Sequence, residues 1–553
     1  MNTGFVSIER ILNSKLKVGL VFILWTLFIT NLWLPRNWGF FGSDDWDLTY
    51  ATFESARKSI VEYRQWPGFN PYLAFGSDMD ANPQSAHASI FFIPILIFGT
   101  FYGYKVAIIA AILIGLYGMQ ALLKGLGLDN LKSVLLSMLF CSASYFSRHI
   151  MEAGHSNFLN FYLVPYLFYF LNIFRLKISF WSGIIPTLIL THFISAGAPF
   201  AFIVAVFLIT LWTIGLILTK NIRFIKVLGF FSIVLFSVGL SLWKIIPVLD
   251  LWTNFPRTVI DDSSINLLIL LDAFADFKTD TGTPHGWHEI SLGIGLLVPV
   301  LILFYRKHIA NFNVWIGLSL LSVWLSMGNT PSLINPWYLL HHYFPVFDSL
   351  RSPYRFLFIA LFALVIGLAL IVNKLEDNKL ILIIILSLAL SNTLNFNAIS
   401  RNMVFSERLE AIPETNDQIP DIIKSNKKQL FLNIRKNKLV IDAYEPQLLS
   451  TVSDTLQSFS SGAFVTEFKP NFIRLKSTDS IVKLSLRHSS NWSTSLGKIE
   501  NANGLLSITK LQANQDITMT YLNDKIRTGV YASLITLLLA SISFYAFSRI
   551  KSS

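Results

Sequence analysis

The feature that most constrains this chain is a succession of apolar runs of about 17 to 22 residues. That is the length an α-helix needs to cross about 30 Å of hydrocarbon at about 1.5 Å per residue. The first is 16–34; others lie near 104–123, 132–149, 157–174, 181–196, 200–218, 228–248, 290–305, 312–327, 354–373, 379–394 and 530–547. Of the 553 residues 53% are hydrophobic and only 14% charged, where soluble chains carry roughly 25% charged residues, which argues against a water-soluble fold. The reading is a polytopic α-helical membrane protein of about twelve transmembrane helices. Run 16–34 is long enough to span and has no small-x-small cleavage site after it, so it is read as a retained helix.

A net charge of +11 would suggest nucleic acid as partner in a soluble protein. Here the basic residues collect at helix ends, as in Arg175/Lys177, Arg306/Lys307 and Arg549/Lys551. That distribution follows the positive-inside rule, excludes nucleic acid and puts both termini in the cytoplasm. The single cysteine, Cys141, excludes an intrachain disulfide and a cysteine-based zinc site.

These assignments divide the chain into a transmembrane domain, 1–394, with long outer loops at 35–89, 250–289 and 328–352. A domain outside the bilayer follows at 395–526, and a final helix with its tail at 527–553. The segment 90–101 is apolar but short and carries Pro94, so it reads as re-entrant or interfacial. Alternation such as Ile481-Val482-Lys483-Leu484-Ser485-Leu486 predicts a small β domain within 395–526.

Chemistry is expected in the loops. Asp44, Asp45 and Asp47 follow the first helix directly; clustered carboxylates can raise one pKa, hold a divalent cation or act as a general base, although a solvated acidic turn has the same pattern. The stretches Trp66-Pro67-Gly68-Phe69-Asn70-Pro71-Tyr72 and Gly76 to Gln84 set turn formers among aromatics, the mark of an ordered loop. Trp66, Asn70, Tyr72, Asn82 and Gln84 are therefore substrate-binding candidates, with an interfacial aromatic belt as the alternative for Trp66. Arg148, His149, Glu152 and His155 gather at the end of one run, and His285, Trp287, His288 and Glu289 in the second loop. His288 and Glu289 join the substrate candidates. The third loop brings His341, His342, Asp348, Arg351 and Arg355; arginines suit bidentate phosphate binding. With Lys244 and His155 they form the candidate set for a donor phosphate. There is no P-loop, dinucleotide fingerprint or HExxH motif.

Taken in order, several of these motifs resemble the YfhO-like bacterial membrane proteins, within the GT-C class of polyprenyl-phosphate-sugar glycosyltransferases. The resemblance rests on Asp44-Asp45, Trp66-Pro67 through Tyr72, Gly76 with Ala81-Asn82-Pro83-Gln84, and Gly154-His155-Ser156-Asn157-Phe158 with Pro165. It continues in Arg351-Ser352-Pro353-Tyr354-Arg355-Phe356, Lys469-Pro470-Asn471 and Asn491-Trp492-Ser493. The chain departs from the family at Ser490-Asn491-Trp492, where a Pro-Gly-Trp is usual, and in its extra aspartate, which leaves Asp44 and Asp45 both open as the equivalent acid.

The resemblance implies a GT-C fold in the bacterial cytoplasmic membrane. It implies transfer of a sugar from a polyprenyl-phosphate donor to an envelope glycan or glycopolymer of the teichoic-acid or O-antigen kind, with inversion at the anomeric carbon. Asp44 or Asp45 would be the catalytic acid group. No cofactor is required; a divalent cation, Mg or Mn, could be held by Asp44, Asp45 or Asp47. A donor-synthesising glycosyltransferase and a flippase would act upstream. The competing readings are a transporter or flippase of a polyprenyl-linked glycan, and a noncatalytic envelope assembly protein.

Overall fold

The computed structural model describes residues 14–42, 45–254, 264–276, 286–306, 312–329, 335–344, 347, 350, 352–375, 379–399, 407–408, 419–423, 429–441 and 458–549. Among these, six helices are long and apolar enough to cross a membrane: Ile90–Gly125, Asn130–Glu152, Ser156–Leu176, Pro199–Leu218, Pro353–Lys374 and Asp524–Arg549. A seventh is reached if Phe224–Leu240 and Leu242–Thr253, bent by 67°, form one span. Phe180–Ser195, Val314–Ser326 and Lys379–Asn395 are shorter apolar helices. Among the described residues, length and composition thus support six candidate spans, or seven with the bent pair, and do not establish the roughly twelve read from hydropathy.

Local chemistry explains where the expected runs break. The short first segment ends at Gly99, whose φ of 75° and ψ of 164° leave the helical region within Ile93–Gly125, a conformation that glycine adopts without a Cβ penalty. A Cβ on Gly103 would sit 2.4 Å from the Ile95 Cα, so the segment folds back tightly on the helix that follows. The run expected at 290–305 forms a helix only over Leu297–Phe304. Its first residues are irregular, with Gly293 and Gly295 at positive φ and amides bonded to Ala273 and Phe274 carbonyls.

Burial sorts the helices by position. Leu357–Lys374 is apolar on every face and buried along nearly its whole length, as expected of a helix surrounded by others. Asp524–Arg549 buries only Gly529, Ala540 and Phe544. It lies at the periphery, where Gly529 lets it approach the Leu242–Asn254 backbone; a Cβ there would meet the Trp243 Cα at 2.5 Å.

The alternating C-terminal runs form two antiparallel four-stranded sheets. One orders 498–502, 505–509, 482–487 and 460–461; the other 492–494, 516–521, 472–477 and 463–469. Asn503 (φ 55°) and Gly504 (φ 90°) both occupy the left-handed region between paired Ala502 and Leu505, the requirement of a two-residue hairpin turn. Ile473, Leu475, Val482, Leu484, Leu486, Leu506, Ile508, Ile517 and Met519 share one buried cluster, so inward faces of both sheets supply the core.

That same cluster contains Phe69 and Tyr72, because the first loop is clamped to the β region. Asn471 is the main fastener. Its amide nitrogen bonds the Trp66 carbonyl at 2.6 Å, its side-chain oxygen accepts from Phe69 N at 3.0 Å, and its backbone N–H donates to Gln65 Oε1 at 3.0 Å. Phe69 packs between Trp492 and Tyr521, with ring centroids 5.3 and 4.9 Å away. Asp78 accepts from Asn491 at 3.3 Å and from Asn523 at 2.7 Å. Motifs far apart in sequence thus meet as one docking interface.

Candidate active site

One group of ionisable side chains gathers at a single end of the helices. The helix Trp46–Arg57 lays its first turn against residues 151–154: Asp45 N–H donates to the Ala153 carbonyl (3.1 Å), Trp46 Nε1 to Met151 (2.9 Å), and Thr49 Oγ1 to Gly154 (2.9 Å). Gly154 has φ 77°, and a Cβ there would lie 2.7 Å from Trp46 N, so a larger residue would push the two segments apart. This approach sets Asp45 Oδ2 3.4 Å from His155 Nε2, with the Asp45 side chain 40% exposed and that of His155 14%.

Behind His155 stands His149, fully buried, on a π-helical stretch Ser147–Glu152. Such wider turns recur at functional sites because they re-aim side chains. The Nδ1 atoms of His149 and His155 face each other at 3.3 Å, and the His149 ring stacks on Phe158 with centroids 3.7 Å apart. The His288 ring centroid is 5.4 Å from that of His155.

Glu289, 1% exposed, completes the group. It receives Arg355 Nε at 2.8 Å and Nη2 at 2.5 Å on separate oxygens, and Ser352 Oγ at 3.1 Å. Burial pushes the Glu289 carboxyl up, but the Arg355 guanidinium, with its charge and hydrogen bonds, more than offsets this and holds it well below the usual carboxylate range. Arg355 also lies over the Phe158 and Phe200 rings at 5.4 and 5.5 Å. One ligand atom each from His149, His155 and Glu289 falls within 4.8 Å of the others.

Asp276 positions this group from beneath. Its carboxylate accepts from Trp287 Nε1 (2.9 Å), Ser291 Oγ (2.6 Å), Ser144 Oγ (2.7 Å) and Asn395 Nδ2 (2.9 Å). Arg148 bridges it to Glu152, at 3.2 and 2.6 Å. The turn Trp287–Glu289 is thereby tied to the helix that carries His149.

A second group involves Trp66 and Lys244. Trp66 Nε1 donates to Asp80 at 3.0 Å, His87 Nε2 lies 3.2 Å from Asp80, and Lys244 Nζ donates to the Met79 carbonyl at 3.2 Å. Burial lowers the pKa of His87, against the opposing pull of Asp80, and raises that of Asp78. The bend after Leu240 carries Lys244 to the Met79 carbonyl, next to Asp80 in the chain.

The remaining sequence candidates are distributed elsewhere. Asn70 and Tyr72 are buried in the docking interface, where Asn70 Oδ1 accepts from Tyr72 N–H and the Tyr72 hydroxyl reaches Asn437 Oδ1 at 3.2 Å. These contacts tie both residues to the β region, away from the group around Asp45. Asn82 closes a turn onto Gln84 N–H at 2.9 Å. Asp47 accepts from Leu430 and Phe431 N–H at 2.8 and 3.0 Å, which places it at the start of Leu430–Arg435 rather than in a carboxylate cluster with Asp45. Asp44, His285, Asp348 and Arg351 lie outside the described residues.

Sequence reasoning noted His149 without assigning it a role and overlooked Asp276 and Asp80. The His149/His155 proximity needs the π turn, which leaves no periodic signal.

No family model matches the sequence, and no curated protein compared with it matches either. Among solved structures the chain is similar to the single-particle cryo-EM structure of arabinofuranosyltransferase AftD from Mycobacteria. The TM-score is 0.46 and the identity 13%, over 70% of this chain and 26% of that one. The chain therefore spans about a quarter of that protein's length.

Proposed function

We propose that this chain is a membrane glycosyltransferase that moves a sugar from a polyprenyl-phosphate donor to an envelope glycan on the extracytoplasmic side of the bacterial cytoplasmic membrane. The observation that carries this reading is the half-exposed Asp45 carboxylate, held against His155 beside the Glu289–Arg355 pair, at the end of helices apolar enough to border a lipid. The order of motifs that resembles the GT-C class points the same way.

In this mechanism Asp45, or its neighbour Asp44, accepts the proton of the acceptor hydroxyl. The oxygen attacks the anomeric carbon as the bond to the lipid phosphate breaks, which inverts the centre and leaves polyprenyl phosphate. Arg355 stabilises the charge growing on the departing phosphate, with Arg351, His155 and Lys244 as further candidates. The lipid carrier accounts for the absence of a nucleotide-binding motif, since the sugar arrives already activated.

The test is sugar transfer from defined polyprenyl-phosphate sugars by purified protein in nanodiscs, comparing wild type with Asp44→Asn and Asp45→Asn. Loss of a general base lowers the rate by about 100-fold or more, so one variant should fall by that factor while remaining folded. Undiminished transfer in both removes these acids from the mechanism. Movement of an intact lipid-linked sugar across a vesicle, with no covalent change, would replace the enzyme with a flippase.

A further inference from the structure

We infer that His149, His155 and Glu289 form a binding site for a transition-metal ion of the zinc class. This differs in ligands and in metal from the magnesium or manganese site that the acid run Asp44 to Asp47 suggests, and it deepens the transferase reading by naming an ion beside the leaving phosphate.

The geometry between the two rings is the first argument. Two imidazole nitrogens each about 2.05 Å from one tetrahedral ion sit about 3.3 Å apart, and the two Nδ1 atoms face each other at 3.3 Å. A hydrogen bond between neutral rings would give the same separation, but it does not account for the buried Glu289 carboxylate, which brings a ligand atom within 4.8 Å of one on each ring.

The third ligand and its surroundings supply the second argument. Glu289 Oε2 takes Arg355 Nε and Ser352 Oγ, while Oε1 takes, among the described residues, only Arg355 Nη2, which leaves a lone-pair direction on Oε1. His155 turns its other nitrogen toward Asp45 at 3.4 Å, the carboxylate–histidine arrangement that orients metal ligands elsewhere. Two imidazoles and one carboxylate favour zinc-like ions over magnesium, which prefers oxygen ligands and water. Three protein ligands leave one position for an exchangeable group. With Arg355 alongside, that position suits an anion such as a phosphate oxygen.

The experiment uses the full chain in detergent micelles, stripped with a chelator and equilibrated with Co²⁺. Bound metal is counted by mass spectrometry and coordination is read from the visible absorption band. About one ion per chain is expected, with an intense low-symmetry band that Zn²⁺ abolishes. His155→Ala should weaken binding by more than about 100-fold and Asp45→Asn by about 10-fold, while His488→Ala in the β region leaves it unchanged. Each variant is checked for wild-type elution on size exclusion. No stoichiometric cobalt in wild type, or an unaltered band in folded His155→Ala, overturns the site. Metal loading and sugar transfer are read separately: cobalt stoichiometry and the band of His155→Ala decide the site whatever the transfer, and transfer by the wild type decides the transferase whatever the loading.

Discussion

Replacing Glu289 by glutamine should destabilise the protein far more than its change of one atom suggests. The carboxylate is 1% exposed and accepts three hydrogen bonds, two of them from Arg355. Glutamine keeps the shape but presents an NH₂ group to one arm of the guanidinium, so Arg355 loses a charge-assisted bond and its counter-charge together. Breaking a buried ion pair from one side costs about 3 to 5 kcal/mol. Arg355→Gln should cost a similar amount, and the double variant should fall short of the sum by at least about 1 kcal/mol, because the second substitution removes the charge stranded by the first. Unfolding in mixed micelles, followed by tryptophan fluorescence, measures all three.

The same pair fixes a pH dependence. The folded-state pKa of Glu289 lies below the ordinary glutamate value, about 4.3 in the unfolded chain. Its stabilisation is therefore complete above about pH 4.3 and is lost as the pH falls through the lower folded value. Wild type should converge on Glu289→Gln in that acid window. A single variant within about 0.5 kcal/mol of wild type, or strictly additive variants, would refute the reasoning.

Two further outcomes follow from the contacts around this site. Gly154→Ala places a Cβ 2.7 Å from Trp46 N at a residue with φ 77°; the strain, about 1 to 3 kcal/mol, should lower the unfolding midpoint and reduce transfer more than Ala153→Gly does. Asn471→Ala removes two side-chain hydrogen bonds to the first loop, at about 1 kcal/mol each, and should speed proteolysis of the β region while leaving the helices intact; an unchanged digestion pattern would show that Phe69 packing suffices.

The amino-acid sequence by itself determined the apolar helices and the C-terminal strands, because both depend on local periodicity: continuous apolar runs for helices and alternation for sheets. It also marked the chemistry-bearing residues Asp45, His155, Glu289 and Arg355, since charged groups beside apolar runs stand out. Partnership was another matter. Whether Arg355 faces solvent or Glu289, whether Lys244 joins the group around Asp45 or reaches the Met79 carbonyl, and whether Asn70 and Tyr72 join that group or the β region depend on contacts between segments far apart in the chain. Periodicity carries no record of those distances. The bend at Ser241, the left-handed Gly293 and Gly295, and the π turn at 147–152 are likewise set by tertiary packing, which offsets their local strain. Tertiary structure alone therefore decided which ionisable residues form one site and which fasten the fold.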